Sequence, residues 1–317
     1  MALTVKEFLE EWNSPEPYVI AHTSGSTGKP KEIRLLKEDM WLSARATNRF
    51  FGIGSQSLLA LPLSPDYIAG KMMIVRACEV GCQLMELPVS NVIDLDMLPR
   101  AVDLLPVVPS QVDALVARCD FPDKVRNLLV GGSALSPERA SAIAATGVKA
   151  YLGYGMTETC SHVALSEISG DGKPAVYRAM PGISFSVDNR ACLVVEAPHF
   201  SFRRLVTNDV VELLDSRTFH WKGRFDNVIN SGGIKLFPEE LEKLYAPVLA
   251  GRNFYLIGRP DTKWGTALVL VVEGEKEDAG NIIRRLEDIG ISGPRLPRRI
   301  EFIQEFPRTA SGKIRRL

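Results

Sequence analysis

The feature that most constrains the fold is the alternation of short apolar runs with helical segments between residues 50 and 154. The apolar runs have the length of buried strands and occupy residues 58–63, 82–87, 103–108 and 126–132. Residues 67–80 and 136–146 have helical character, and Ser136 followed by Pro137 is typical of a helix start. Strands that alternate with helices pair in parallel and are covered on both faces. The sequence therefore predicts an α/β protein with a mostly parallel sheet.

From residue 182 onward the pattern changes to that of antiparallel hairpins. Strand-like runs lie on either side of a turn at Asp188 and Asn189, and again on either side of residues 215–217. Later segments are, in order, a helix over 237–250, strands over 253–258 and 267–274, a helix over 277–290, and a basic, loop-like end. They predict a small α+β unit of their own.

The charge balance and the cysteines exclude several classes of protein. The 317 residues contain 38 Lys and Arg against 38 Asp and Glu, which leaves no net field to attract nucleic acid or an anionic membrane. No apolar run reaches the ~20 residues of a membrane-spanning helix, and residues 1–12 lack the basic and then apolar order of a signal peptide. The 5 cysteines are scattered, which indicates a reducing compartment. We expect a cytoplasmic protein without nucleic-acid partners.

Residues 21–33 have the composition of a phosphate-binding loop. Glycines and hydroxyl side chains can surround phosphate oxygens with N–H and O–H donors, and lysines add positive charge. The loop is not a Walker motif, because Lys29 precedes a proline and the Gly-x4-Gly-Lys spacing is absent. A flexible surface loop is the alternative on composition alone. The candidate phosphate ligands are Thr23, Ser24, Gly25, Ser26, Thr27, Gly28, Lys29 and Lys31.

The order of residues in this loop resembles the phosphate loop of the adenylate-forming superfamily, which includes acyl-CoA ligases, adenylation domains and luciferases. Residues 154–159, Tyr-Gly-Met-Thr-Glu-Thr, match a second motif of that superfamily. The resemblance implies that Tyr154 lies near the adenine of ATP, with Gly155 and Met156 in the same nucleotide-binding motif. It also implies that Thr157 contacts the α-phosphate and that Glu158 binds Mg²⁺, an ion that prefers carboxylate and phosphate oxygens.

A third group of matches concerns the ribose and the domain boundary. Asp209 and Arg224 correspond to the two ribose contacts of the superfamily, a carboxylate acceptor and a guanidinium donor. Asn208 stands where the superfamily usually has glycine. Asp226 corresponds to the hinge between two domains, and Gly132 lies in a stretch that borders the adenine and acyl pocket.

The remaining matches lie in the C-terminal part of the chain. Ser231, Gly232 and Gly233 resemble the loop that lets the pantetheine of CoA approach, although the two glycines alone also fit a hairpin turn. Lys313 resembles the C-terminal catalytic lysine, which reaches the attacking carboxylate and the α-phosphate. The resemblance implies a large ATP- and acyl-binding domain of parallel strands and hairpins over 1–226, and a small mobile α+β domain over 227–317.

Within the superfamily, residues 154–165 and the compact length are most similar to the o-succinylbenzoate–CoA ligases of menaquinone biosynthesis. Their substrate carries a second, aromatic carboxylate, which needs a cation or several donors in the acyl pocket. Lys71, the first candidate, and Arg76 lie where many relatives have a histidine-glycine motif, but both also fit surface charges on a helix. His162, just after the second motif, is a weaker acyl-pocket candidate.

The resemblance covers nearly the whole chain except its front, so we expect a compact version without the usual N-terminal subdomain. It implies ATP, Mg²⁺ and CoA as cofactors and a small carboxylic acid as substrate; the oligomeric state stays open. Three alternatives remain: another acyl- or aryl-CoA ligase, an adenylation domain that loads a carrier protein and uses Asp66 to hold a substrate ammonium, and a nucleotide-binding regulatory protein. A regulatory protein is expected to have lost Glu158 or Lys313, and both are present.

Overall fold

The computed structural model describes residues 3–23, 31–249, 251–308 and 314–316. Two compact units make up the chain. The first comprises Met1–Ser186, Val195–Leu205 and Leu214–His220, and the second comprises Val187–Val194, Val206–Leu213 and Trp221–Leu317.

The helices and strands of the described residues alternate along the chain. The helices are α1 (Val5–Asn13), α2 (Lys37–Phe51), α3 (Ile68–Val80), α4 (Val112–Val116), α5 (Phe121–Lys124), α6 (Pro137–Ala145), α7 (Pro238–Leu249) and α8 (Ala279–Asp288). The strands of the first half are β1 (Tyr18–Thr23), β2 (Lys31–Leu36), β3 (Leu58–Leu61), β4 (Gln83–Glu86), β5 (Leu105–Val107), β6 (Asn127–Val130), β7 (Lys149–Gly155), β8 (His162–Glu167) and β9 (Tyr177–Ala179). Those of the second half are β10 (Ser184–Val187), β11 (Cys192–Ala197), β12 (Arg203–Asp215), β13 (Thr218–Arg224), β14 (Ile229–Ser231), β15 (Ile234–Leu236), β16 (Phe254–Asp261), β17 (Gly265–Glu273) and β18 (Arg299–Ile303).

The predicted mixture of parallel strands and antiparallel hairpins is confirmed. The largest sheet has the order β10-β11-β12-β13-β9-β8-β7-β6-β5. Within it β5, β6 and β7 are parallel, whereas β8 runs antiparallel to β7 and to β9. β3 and β4 form a separate parallel pair, and β1 and β2 an antiparallel one.

Local sequence determines where the elements of the first unit begin and what they bury. The Ser136 hydroxyl accepts a hydrogen bond from the backbone N–H of Arg139, which caps α6 as predicted. The parallel strands bury Leu105, Leu128 and Val130 in a core that also holds residues of the neighbouring helices. This core leaves the carboxyl ends of β6 and β7 as the edge from which the motif residues emerge.

The second unit contains a three-stranded sheet in the order β16-β17-β18, whose core includes Tyr245 of α7 and Leu286 of α8. The prediction of a loop-like end is wrong for residues 299–303, which form β18 parallel to β17. Ile300 and Phe302 of this strand pack against the core, and charged residues alternate with them. Arg299 and Glu301 obscured the two-residue alternation that is typical of a strand. Among the described residues, no helix is long and apolar enough to cross a membrane.

Candidate active site

The predicted phosphate loop joins two paired strands. β1 and β2 are antiparallel, and Thr23 at the end of β1 lies opposite Lys31 at the start of β2. The ligands predicted between them, Ser24, Gly25, Ser26, Thr27, Gly28 and Lys29, lie outside the described residues, as do the side chains of Thr23 and Lys31. Their contacts with phosphate therefore stay predictions.

The motif at 154–159 follows directly on the end of β7. The pairing of β7 with β8 shifts register between Tyr154 and Gly155, and a Cβ atom on Gly155 would overlap the carbonyl oxygen of Ser161. Only glycine therefore allows the two backbones to approach so closely. The ring of Tyr154 packs edge-on against Phe219, with 5.1 Å between ring centroids. Gly132 lies two residues after the end of the neighbouring strand β6 and has a φ of +85°.

The hydroxyl of Thr159 holds the turn that follows. It accepts a hydrogen bond from the backbone N–H of Met156 at 3.0 Å and lies 2.7 Å from the carbonyl oxygen of Ser161, to which it donates. Thr159 is buried, whereas Glu158 next to it is exposed. Sequence reasoning assigned no role to Thr159, although the second threonine of the Thr-Glu-Thr motif was the available signal.

The exposed carboxylate of Glu158 suits the magnesium role that the resemblance implies. Mg²⁺ in nucleotide sites is usually held by one or two carboxylates, substrate phosphates and water. Across residues 3–23, 31–249, 251–308 and 314–316, no group of three or more His, Cys, Asp or Glu side chains could form a protein-only metal site. A single carboxylate that shares the ion with phosphates fits this donor set.

The predicted ribose pair comes together in the second unit. Oδ1 of buried Asp209 accepts a hydrogen bond from the indole N–H of Trp221 at 3.2 Å and lies 3.8 Å from Nη1 of Arg224. Nη2 of Arg224 also lies 3.7 Å from Oδ2 of Asp226, the predicted hinge. Asn208, which replaces the usual glycine, donates to the same Asp226 oxygen at 3.3 Å. The departure from the superfamily pattern thus adds a contact to Asp226.

The predicted CoA loop is a two-residue hairpin turn between β14 and β15. Gly232 and Gly233 have φ values of +57° and +83°. A Cβ atom on Gly232 would lie 2.7 Å from the ring of Trp264, and the Gly232 N–H donates to the Trp264 carbonyl oxygen at 3.0 Å. The hairpin-turn interpretation is therefore right for the backbone, while the role of Ser231, Gly232 and Gly233 toward CoA stays a prediction. Lys313 lies outside the described residues.

Lys71 is a buried cation in acidic surroundings. Its side chain is 3% exposed, and Nζ lies 4.7 Å from the ring centroid of Phe8 and 3.9 Å from Oε2 of Glu11. Burial lowers the pKa of Lys71. A cavity of about 300 Å³ is lined by Leu3, Glu7, Glu11, Ile20, His22, Asp66 and Lys71. The interpretation of Lys71 as a surface charge is wrong.

Arg76 is also buried and lies beside the turn formed by residues 156–161. It is 2% exposed; Nη2 donates to Oγ of Ser161 at 2.6 Å, and Nε has no partner among the described residues. The same serine lies 3.3 Å from Nδ1 of His162, whose Nε2 lies 3.2 Å from the Thr47 hydroxyl. Burial lowers the pKa of Arg76 to about 10, so the guanidinium stays charged at pH 7. A surface position for this residue is likewise wrong.

Comparison with known proteins places these features in a family. A model of the AMP-binding enzyme family matches residues 4–197. A 2-succinylbenzoate–CoA ligase of Bacillus cereus is 24% identical over 338 residues, which cover 97% of this chain and 70% of that protein. A ligase of the same name from Listeria monocytogenes is 25% identical over 336 residues, with 98% and 71% covered. The predicted acid–thiol ligase agrees with these names.

Solved structures share the fold. An acyl-CoA synthetase (AMP-forming)/AMP-acid ligase II-like protein from Dyadobacter fermentans is 32% identical, with a TM-score of 0.64 and with 98% of this chain and 91% of that chain covered. An o-succinylbenzoate CoA synthetase from Bacillus subtilis, in complex with its acyl-adenylate intermediate, has a TM-score of 0.82 at 21% identity, with 94% and 67% covered. The second likeness concerns the fold alone. By the family match and the Dyadobacter relative, this chain belongs to the AMP-binding, adenylate-forming enzyme family.

Proposed function

We propose that this protein is an ATP-dependent, AMP-forming acid–CoA ligase that converts o-succinylbenzoate to o-succinylbenzoyl-CoA in menaquinone biosynthesis. Family membership supports the adenylating chemistry. The observation that carries the substrate is Arg76, a buried cation with one free N–H among the described residues, next to the turn that follows the motif. The scattered cysteines support a cytoplasmic location.

In the first half-reaction, the aliphatic carboxylate of the acid attacks the α-phosphorus of ATP and pyrophosphate leaves. Asp209 accepts hydrogen bonds from the ribose hydroxyls and Arg224 donates to them, which fixes the nucleotide. Thr157 donates to the α-phosphate, and Lys313 stabilises the negative charge that grows on its oxygens. The loop at 23–31 holds the remaining phosphates with N–H and O–H donors.

Glu158 would hold Mg²⁺ together with the phosphates of ATP. When bound, the ion supplies positive charge that offsets the charge of the phosphate groups.

In the second half-reaction, the thiol of CoA attacks the acyl carbon of the adenylate, the thioester forms and AMP leaves with the carboxylate oxygen. We assign the change between half-reactions to a turn about Asp226, which removes Lys313 and brings the loop at 231–233 to the site. No step requires a covalent bond to the enzyme.

The aromatic carboxylate of the substrate stays ionised at pH 7 and needs a partner, because burying it unpaired would cost several kcal/mol. The surroundings favour Arg76 over Lys71 as that partner. Ser161 beside Arg76 adds a hydroxyl, and the described hydrogen-bond partners of the guanidinium, Ser161 and Met73, are uncharged. Lys71, by contrast, shares its cavity with Glu7, Glu11 and Asp66, whose charges would repel a carboxylate.

The geometry weighs against the carrier-loading alternative. Asp66, the candidate for holding a substrate ammonium, already accepts hydrogen bonds on both oxygens: from the Leu3 N–H at 2.9 Å and from the Ser64 hydroxyl at 2.9 Å. It therefore has a structural role at the start of α1.

The proposal is tested by pyrophosphate release from ATP over a panel of acids, with and without CoA. We expect o-succinylbenzoate to give the highest kcat/KM and a thioester only when CoA is present. Preferred turnover of a fatty acid or an amino acid, or transfer to a carrier protein rather than to CoA, would contradict the substrate assignment while leaving adenylation in place. If no acid gives pyrophosphate release, the proposed adenylating activity is contradicted.

Arg76→Met should raise the KM for o-succinylbenzoate roughly 10- to 100-fold, which corresponds to the free energy of one hydrogen bond to a charged group. The KM for 3-benzoylpropanoate, which lacks the ring carboxylate, should change far less. Lys71→Met is the matched control and should affect both acids alike. Thermal unfolding of each variant checks that it folds, and Arg76→Lys supplies a variant that keeps the charge. An equal rise for both acids in Arg76→Met would contradict the role of Arg76.

The pH dependence of stability tests the environment of His162. Burial and nearby Arg76 lower the pKa of His162 well below its ordinary value of 6.5. The unfolded imidazole therefore binds a proton below about pH 6.5 while the folded one does not, so stability falls as the pH falls through that range. The loss approaches 1.4 kcal/mol per pH unit for one proton.

Urea unfolding of His162→Gln between pH 7.5 and 5 should therefore show a shallower loss of stability than wild type. His199→Gln, which changes an exposed histidine, is the control and should retain the wild-type slope. Parallel pH profiles for wild type and His162→Gln would contradict a lowered pKa of His162 in the folded protein.

A further inference from the structure

The two ends of the segment that contains Lys313 are fastened to each other. Arg308 pairs with Ile314 in an antiparallel bridge, and the backbone N–H of Arg315 donates to the carbonyl oxygen of Pro307 at 2.8 Å. Residues 309–313 between them lie outside the described residues. Lys313 therefore directly precedes a residue whose backbone position is fixed.

Arg316 ties the C-terminal side of this segment to the body of the second unit. Its Nη1 and Nη2 donate to the two carboxylate oxygens of Glu242 on α7 at 2.7 and 2.8 Å. Nη1 also donates to the carbonyl oxygen of Leu256 at 3.1 Å, and the guanidinium lies 6.0 Å from the ring centroid of Tyr255. A planar two-pronged contact of this kind fixes direction as well as distance.

The partner of Arg316 is itself fixed. Oε1 of Glu242 also accepts a hydrogen bond from the Leu256 N–H at 2.7 Å. Burial raises the pKa of Glu242, and the charge of Arg316 acts in the opposite direction. A second ion pair anchors the other end of the segment, where Arg308 Nη2 lies 3.1 Å from Glu273 Oε2. Glu273 also accepts the Phe306 N–H at 2.6 Å.

Arg316 is also connected to the residues around the predicted hinge. Its Nη2 lies 3.7 Å from Oε1 of Glu239, which accepts a hydrogen bond from Nδ2 of Asn227 at 2.5 Å. Asn227 directly follows Asp226. The second oxygen of Glu239 is buried without a partner among the described residues and lies against Gly223. Arg316 thus contacts a carboxylate that also binds Asn227, the residue after Asp226, and lies against Gly223, three residues before it.

We propose that Arg316 is a positioning residue for the adenylation half-reaction: through Glu242 and Glu239 it holds residues 314–316 in place, and thereby restrains the adjacent Lys313, which is predicted to act at the α-phosphate. The inference rests on the proposed function. A catalytic cation must be held within a fraction of an ångström of its working position, and a misplacement of about 1 Å can cost 10²-fold in rate. Arg315, with an exposed side chain, has no such role.

The test compares Arg316→Met with Arg315→Met in the two half-reactions measured separately. Adenylation is followed by ATP–pyrophosphate exchange, and thioester formation by CoA transfer from a preformed acyl-adenylate. We expect Arg316→Met to lose roughly 10- to 100-fold in kcat of adenylation with an unchanged KM for ATP. Thioester formation should stay within about threefold of wild type, and Arg315→Met should be normal in both steps. Arg316→Lys should recover only part of the loss, since lysine cannot form the two-pronged contact.

An equal loss in both half-reactions, or normal adenylation in Arg316→Met, would overturn the proposal. Backbone hydrogen exchange at residues 314–316 provides a readout that does not depend on activity. Faster exchange in Arg316→Met than in Arg315→Met supports the anchoring, and equal exchange contradicts it. If the wild-type chain forms no adenylate at all, the proposed function fails, and the exchange result still decides whether Arg316 holds residues 314–316.

Discussion

The hydroxyl of Thr159 makes the interaction on which the candidate site depends. This hydroxyl forms hydrogen bonds with the backbone of Met156 and of Ser161 across one tight turn, so that the residues of the motif lie on two sides of the turn. Glu158 is left exposed on one side, while Ser161 and His162 adjoin buried Arg76 on the other. A single turn therefore presents an exposed carboxylate on one side and adjoins a buried cation on the other. The absence of a side chain at Gly155 lets β8 approach closely enough to form this turn.

Lys71 and Arg76, the two buried cations of α3, have the same charge but lie in different environments. Burying a charge is costly unless a partner compensates for it. Lys71 is compensated by the Phe8 ring and by Glu11. Glu11 also accepts a hydrogen bond from the Ile20 N–H, so this contact connects α1 to β1, the strand before the predicted phosphate loop. Among the described residues, the hydrogen-bond partners of the Arg76 guanidinium, Met73 and Ser161, are uncharged, and one N–H is unsatisfied. The first arrangement is complete within the protein, whereas the second suits an anionic ligand.

Much of this organisation could be predicted from local sequence because it depends on local physics. The helix at 136–146 carries its own cap, and the hairpin around Asp188 and Asn189 carries its own turn residues. Burial of Lys71 and Arg76 could not be predicted, because it depends on elements far away in the chain: α1 for the first and the turn at 155–162 for the second. β18 was missed because charged side chains obscured its alternation. The partners of Arg316 likewise come from α7 and β16, which no spacing near the end of the chain indicates.

The central claim is that the carboxylate of the acid attacks the α-phosphorus of ATP. A single measurement tests it most directly: o-succinylbenzoate labelled with ¹⁸O in its aliphatic carboxylate is turned over with ATP and CoA, and the products are weighed by mass spectrometry. Attack at the α-phosphorus predicts one ¹⁸O atom in AMP, none in pyrophosphate, and a thioester that retains the other labelled oxygen. Label in inorganic phosphate with formation of ADP, or unlabelled AMP, would contradict it.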